Sequence, residues 1–284
     1  MEIAVNVFIS CDMEGATGIV HPDQLSNKGY DYARARTLLT GDVAAACEGA
    51  IEAGAKRVVV CDGHGSMRNL LLEELPEPVE VVVGPASSRL LCQCEGLDES
   101  FDAAMFVGYH ARNGAPGAVL PHTWVGSLVH EIKVNGDVFG ETALNAAIAG
   151  HFGVPVVMVS GDEALVREAR EILPEVEAVA TKQAVGRAAA VCRTPAWTRK
   201  AIKAAADKGL RRRRRPRPFT VKAPVVVTVG FHDVRMADRA MKRPLLERTG
   251  PRSIAFSRAD FLEAAAEAWR VLEAVAAEDA EFLR

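Results

Sequence analysis

Three apolar runs of this chain each end in side chains able to ligate a metal. Val5 to Ile9 leads into Asp12-Met13-Glu14, Val58 to Cys61 into Asp62-Gly63-His64, and Met105 to Val107 into Gly108-Tyr109-His110. Carboxylate oxygens and imidazole nitrogens together suit zinc or a neighbouring divalent ion. In an open parallel α/β sheet, ligands bind beyond the carboxyl ends of the strands, so three such ends can deliver their side chains to one crevice.

Asp12 and Glu14 are spaced i, i+2, which puts both carboxylates on one side of an extended backbone. Two such groups at close range repel, and three readings follow: a shared proton, a cation, or an exposed turn without function. His64 lies between Gly63 and Gly65, which let the backbone approach a ligand closely or make a turn. Singly, His64 and His110 read as ordinary loop histidines; jointly, two imidazoles and two carboxylates at equivalent points of one sheet favour a metal. Glu141, behind Gly140 at a helix start, is a further candidate ligand, although the helix dipole alone also favours an acid there. His122 follows a stretch rich in glycine and proline around Gly114, Pro116 and Gly117. It is the candidate for handling protons or substrate, against the plainer reading of a surface histidine. Asp62 and Asp162 are strand-end candidates for orienting histidines or backbone. His21, His130, His151 and His232 have no such placement.

These side chains need a sheet to position them, and the apolar periodicity supplies one. Strands are expected at Val5 to Ser10, Arg57 to Cys61, Val79 to Val83, Ala103 to Gly108, Val154 to Val159 and Val176 to Ala180. Between them fall helices at Tyr32 to Ala53, around Met67 to Leu75, near Ser87 to Leu91, from Glu141 and from Glu163 to Leu173. The alternation predicts a three-layer α/β/α arrangement with a largely parallel sheet. His130 to Phe139 alternates polar and apolar residues around Asn135-Gly136, an antiparallel hairpin signal. After a helix around Pro195 to Lys208, the run Arg211 to Arg215 with Pro216 and Pro218 reads as an exposed connection. Beyond it lie strands at Ala223 to Val229 and Ile254 to Phe256 and a long helix after Asp260. The expected organisation is a metal-binding catalytic α/β domain at 1–209 and a smaller C-terminal α+β lobe at 218–284.

With 284 residues, 49% hydrophobic, 25% charged and a formal net charge of −3, the composition is that of a globular protein and disfavours disorder and polyanion binding. The arginine run, without interleaved aromatics, reads as a linker or an inter-subunit salt-bridge element, so no nucleic-acid partner is expected. The acidic start and the lack of any apolar stretch near ~20 residues predict a soluble cytoplasmic protein without a membrane segment. Six cysteines lie mostly in apolar stretches and read as reduced core residues. Cys92-Gln93-Cys94 has the wrong gap for a redox or zinc motif and reads as structural.

Four ordered motifs resemble the zinc-dependent D-aminopeptidase (DppA) family of bacterial dipeptide-transport operons. They are Ser10-Cys11-Asp12-Met13-Glu14-Gly15, Asp62-Gly63-His64-Gly65-Ser66-Met67-Arg68-Asn69, Gly108-Tyr109-His110-Ala111-Arg112 and Gly140-Glu141-Thr142-Ala143-Leu144-Asn145. The resemblance implies two zinc ions per subunit, with Asp12 bridging them and Glu14, His64, His110 and Glu141 completing the ligand set. It implies His122 as the catalytic histidine and a ring-based homo-oligomer, a decamer, whose sites face an inner chamber. It also implies hydrolysis of the N-terminal peptide bond of short peptides containing D-amino acids. The rivals are a dinuclear hydrolase of another amide or a phosphoester, and a metal-dependent binding protein without turnover.

Overall fold

The computed structural model describes residues 5–85 and 89–282. Its centre is a seven-stranded sheet built from β1 (Val5–Cys11), β2 (Ala55–Asp62), β3 (Val79–Val82), β4 (Ala103–Tyr109), β7 (Val156–Asp162), β8 (Glu177–Gly186) and β9 (Ala189–Cys192). The order is β3-β2-β1-β4-β7-β8-β9, with every pairing parallel except the terminal β8–β9 hairpin. The central strands are apolar runs because helices cover both their faces.

On one face, Val7, Ile9 and Cys11 of β1 pack into a buried cluster with α1 (Tyr32–Glu52) and α4 (Pro195–Arg211). The helices meet the sheet through residues at helical spacing, Ala35, Leu39, Val43, Ala46 and Ala50 on α1, and Thr198, Ile202, Ala205 and Gly209 on α4. Phe8 points the opposite way, as alternation requires, into a second cluster with α2 (Glu141–His151) and α3 (Glu163–Ile172).

That second cluster continues into a five-stranded antiparallel sheet ordered β11-β12-β10-β5-β6. Its strands are β5 (Val129–Val134), β6 (Asp137–Phe139), β10 (Val225–Phe231), β11 (Glu247–Gly250) and β12 (Ser253–Arg258), with α5 (Val234–Ala240) and α6 (Phe261–Phe282) against it. The hairpin read around Asn135-Gly136 forms as β5–β6 and pairs with β10, far along the chain. Among the described residues no helix is long and apolar enough to cross a membrane.

Three local expectations change. The helix expected around Met67 to Leu75 is an irregular loop with one short 3-10 turn at Leu72–Glu74. Asp62 explains this: its carboxylate accepts from the backbone N–H groups of Asn69 and Leu70, which fixes the chain in a non-helical path. The helical stretch near Ser87 to Leu91 falls in part outside the described residues, and Leu91 leads into a 3-10 turn at Cys92–Cys94. The arginine run is exposed at Arg211, Arg213 and Arg214, as read, but it is also anchored: Arg211 closes α4 and bonds Asp207 and the Glu52 carbonyl, Arg212 bonds the Glu175 carbonyl, and Arg215 bonds the Asp102 carbonyl.

Candidate metal centre

The carboxyl ends of β1, β2 and β4 do meet, because β1 lies between the other two. The backbone continues the parallel pairing past β1, with Asp12 N–H donating to the Val107 carbonyl at 2.8 Å and Gly15 N–H to the Gly108 carbonyl at 2.8 Å. Gly108 has φ +74° and presses on the Asp12 carbonyl, so no side chain fits there. This close approach brings the loop after β1 against the His110 segment.

Asp12, Glu14, His64, His110 and Glu141 all converge, and all five are buried. Their ligand atoms form compact triads: Asp12 with Glu14 and His64, Asp12 with His110 and Glu141, and Glu14 with His110 and His122. Asp12, Glu14 and His110 each belong to two of them. His64 Nδ1 lies 3.1 Å from both Asp12 Oδ1 and Glu14 Oε2. His110 Nε2 lies 3.4 Å from Asp12 Oδ2 and 3.2 Å from Glu141 Oε1, at angles that make no hydrogen bond. His122 Nε2 stands 3.7 Å from Glu14 Oε1 and 3.9 Å from Glu141 Oε1, and its ring stacks on His110 with centroids 3.9 Å apart.

All three imidazoles are held alike. Each spends its outward nitrogen on a backbone carbonyl: His64 Nε2 on Leu25 at 2.9 Å, His110 Nδ1 on Ala111 at 3.0 Å, and His122 Nδ1 on Leu120 at 3.0 Å. A carbonyl only accepts, so each outward nitrogen carries the proton and each inward nitrogen turns toward the carboxylates. This is how metal-ligating histidines are oriented. Glu14 Oε2 and His110 Nε2 are buried without any hydrogen-bond partner, which is costly for polar atoms unless something else occupies the space between them. The donor set therefore fits a divalent cation.

Without a cation the cluster must hold protons. Burial opposes charge on His64 and His110, but Glu14 beside the first and Glu141 beside the second outweigh it and hold both pKa values well above the usual imidazole range. Burial likewise opposes ionisation of Asp12, yet His110 and His64 keep its carboxyl well below the usual range, and the His110 charge lowers that of Glu141.

Neighbouring residues fix these side chains in place. Asp62 accepts from Asn69 Nδ2 at 2.8 Å, and the same amide bonds the His64 carbonyl at 2.7 Å, holding the loop that carries His64. Asp162 caps α3 at Leu165 N–H and accepts from Val119 N–H at 2.7 Å, bracing the segment before His122. Both thus orient backbone, one of the roles read for them from sequence. Three further residues brace the cluster: Lys182 stands out in the sequence as part of the family-like pair Lys182-Gln183, without a role, and sequence reasoning missed Trp124 and Gln93. Buried Lys182, its pKa pulled down to about 8 by burial, reaches the Glu14 and Ala16 carbonyls at 2.5 and 2.6 Å. The backbone N–H of Trp124 donates to Glu141 Oε1 at 2.6 Å, and Gln93 Nε2 donates to Glu141 Oε2 at 2.6 Å. No spacing rule reaches these contacts, because each joins segments far apart in the chain.

The centre opens into a cavity of about 310 Å³. Asp12, Glu14, His64, His122 and Glu141 line one side, and Met67, Cys92, Trp124, Val125 and Trp269 supply apolar surface. His122 is the open member of the cluster, with its side chain 21% exposed against 1% for His110.

Fold and site together define an α/β protein with a carboxylate–imidazole centre at the carboxyl ends of its parallel strands. Comparison with known proteins narrows the class. The model of the D-aminopeptidase family matches residues 5–271. The D-aminopeptidase of Bacillus subtilis (strain 168) is 32% identical over 261 residues, which are 92% of this chain and 94% of that protein. The solved structure of the Zn-dependent D-aminopeptidase DppA from Bacillus subtilis, described as a self-compartmentalizing protease, matches with a TM-score of 0.91 at 30% identity, covering 95% of this chain and 98% of that one. The chain belongs to the D-aminopeptidase family and is an aminopeptidase, a hydrolase.

Proposed function

We propose that Asp12, Glu14, His64, His110 and Glu141 hold two zinc ions, with Asp12 shared between them, and that the enzyme cleaves the N-terminal peptide bond of short peptides containing D-amino acids. The observation that carries this reading is the common posture of the imidazoles around buried carboxylate and imidazole atoms that lack partners. Zinc supplies Lewis acidity at such a site, lowering the pKa of water and polarising a carbonyl. The residues of the chain do the rest. Asp12, Glu14 and Glu141 would set three negative charges against the four positive charges of two divalent ions, leaving the centre near neutral. His122, with Nδ1–H fixed on Leu120 and Nε2 facing the cavity, is placed to take a proton or to hold a developing charge. Met67, Trp124 and Trp269 give the cavity an apolar wall beside these groups.

The test is metal analysis coupled to hydrolysis of paired D-Ala and L-Ala dipeptides, with a phosphoester as control. Zinc-dependent turnover of the D-peptide, lost on chelation and regained with zinc, is expected. Turnover of only the phosphoester, or metal binding without turnover, would replace this reading by one of its rivals.

The same proposal includes a ring-based homo-oligomer, a decamer, in the cytoplasm. Support comes from the self-compartmentalizing character described for the matched structure, from exposed Val185 and Val191 on the β8–β9 hairpin, and from five buried cysteines kept as free thiols. Light scattering on the eluting protein distinguishes a ten-chain particle from a monomer or dimer.

A further inference from the structure

We infer that Gln93 is a positioning residue of the metal centre, locking Asp12 and Glu141 in place through a closed ring of buried hydrogen bonds. The inference rests on the reading that these carboxylates ligate a cation. Gln93 sits in the 3-10 turn Cys92–Cys94, and its side chain reaches Glu141 Oε2 at 2.6 Å and Asp12 Oδ2 at 3.3 Å. It is the one side-chain amide in contact with both carboxylates among the described residues.

The direction of every bond in the ring follows from chemistry. Carboxylates only accept, so the amide nitrogen of Gln93 must face them and its Oε1 must face Asn145. Asn145 Nδ2 donates to that Oε1 at 2.6 Å and to the Tyr109 hydroxyl at 2.8 Å. Tyr109, accepting there, gives its own proton to Ser10 Oγ at 2.7 Å, and Ser10 donates to the Gln93 carbonyl at 2.7 Å. The ring closes on the residue it began from. Reversing the Gln93 amide would set its oxygen against two carboxylates and leave Asn145 Nδ2 facing another donor. The amide is therefore held in one orientation, with its donors aimed at the centre.

The ring also ties together the elements that carry the ligands. Ser10 precedes Asp12 on β1, Tyr109 precedes His110 at the end of β4, and Asn145 lies one turn after Glu141 on the same face of α2. Gln93 thus converts the relative placement of β1, β4 and α2 into the spacing of two carboxylates. Orienting partners of this kind change metal affinity on the order of 10- to 100-fold.

Zinc affinity, measured by competition with a chromophoric chelator, and the visible spectrum of the cobalt(II) form test this on the full chain. Gln93→Met keeps the length of the side chain and removes the donors. Binding about 10- to 100-fold weaker at one of the sites and shifted cobalt bands are expected. Asn145→Asp is isosteric and, measured at a pH where the new carboxyl is ionised, cannot donate to Gln93 Oε1. Its added negative charge would by itself tighten cation binding, whereas loss of the ring loosens it, and the looser result is expected. Should Gln93→Met fail to fold, Asn145→Asp decides alone. Wild-type affinity and an unchanged cobalt spectrum in folded variants, or tighter binding in Asn145→Asp, would overturn the role of Gln93 while leaving the metal centre intact. A wild-type protein that binds no zinc would overturn the metal centre itself.

Discussion

At the scale of single residues, the division of labour turns on Asp12 and His122. Asp12, Glu14 and His110 each belong to two of the three triads, Asp12 is the carboxylate that lies beside both His64 and His110, and partly exposed His122 stands at the cavity wall. Asp12→Ala is therefore expected to lose zinc and activity together. His122→Ala is expected to keep its zinc while turnover falls by about 10²- to 10⁴-fold, the usual range for a lost proton-transfer group. Elemental analysis beside a peptide assay separates the two, and zinc retained in full by Asp12→Ala would contradict the shared-ligand role. The cluster also makes metal-free stability depend on pH. His64 and His110 bind protons more tightly folded than their ordinary value of 6.5, so the stability they contribute is present below 6.5 and is lost as pH rises through their raised values. Asp12 and Glu141 are shifted down from 3.8 and 4.5, so their contribution is present above those values and is lost as pH falls through the depressed ones. The Tm of chelator-treated protein is expected to decline from pH 6.5 upward, and zinc-loaded protein, whose ligating imidazoles have no such proton to lose, is expected to decline less. A metal-free Tm that climbs between pH 6.5 and 8 would be inconsistent with this.

At the scale of elements, the loops after the strands are built by strand-end acids. Asp62 serves the backbone of Asn69 and Leu70 and the side chain of Asn69, all in the loop that carries His64. Asp62→Ala would leave those buried donors unpaired, at roughly 1–3 kcal/mol each. A fall in Tm of several degrees and weaker zinc binding are expected by calorimetry and chelator competition, and a stable variant with normal affinity would show that the loop holds without its cap. The same residue marks where sequence reading stops. Strands such as β1 and helices such as α1 were legible because apolar spacing records which face is buried. Asp12, Glu14, His64 and His110 were legible because they stand at the ends of those runs, and Glu141 because it opens a helix behind Gly140. The segment from Met67 to Leu75 was misread because one carboxylate, not periodicity, decides its path. The pair Cys92 and Cys94 drew attention for its sulfur, while the functional contact belongs to Gln93 between them.

At the scale of the whole molecule, the two sheets share one buried cluster, which runs from Phe8 and Phe106 under the parallel sheet to Val227 and Ile254 in the antiparallel one. The β5–β6 hairpin could be read from Asn135-Gly136, but its pairing with β10 could not, since nothing local encodes a partner so distant in the chain. The consequence for catalysis runs through α6. It packs against α2, which carries Glu141, and it delivers Trp269 to the cavity, where the indole meets Trp124 edge to face at 5.6 Å. Trp124 in turn binds Glu141 through its backbone N–H. Trp269 thus forms part of the cavity's apolar wall, where the proposed substrate would rest a side chain. Trp269→Ala is expected to raise KM by about tenfold, in line with the 1–3 kcal/mol that an aromatic contact and its buried area are worth, with zinc content unchanged. Trp269→Phe, which keeps an aromatic face, should recover most of the loss. Steady-state kinetics across D-peptides with side chains of increasing size give the sharper measure: if the wall sets specificity, the penalty in Trp269→Ala grows with the apolar area of the side chain. A uniform fall in kcat accompanied by loss of zinc would mean instead that Trp269 acts through Trp124 on Glu141, and that the antiparallel sheet supports the metal centre rather than the substrate.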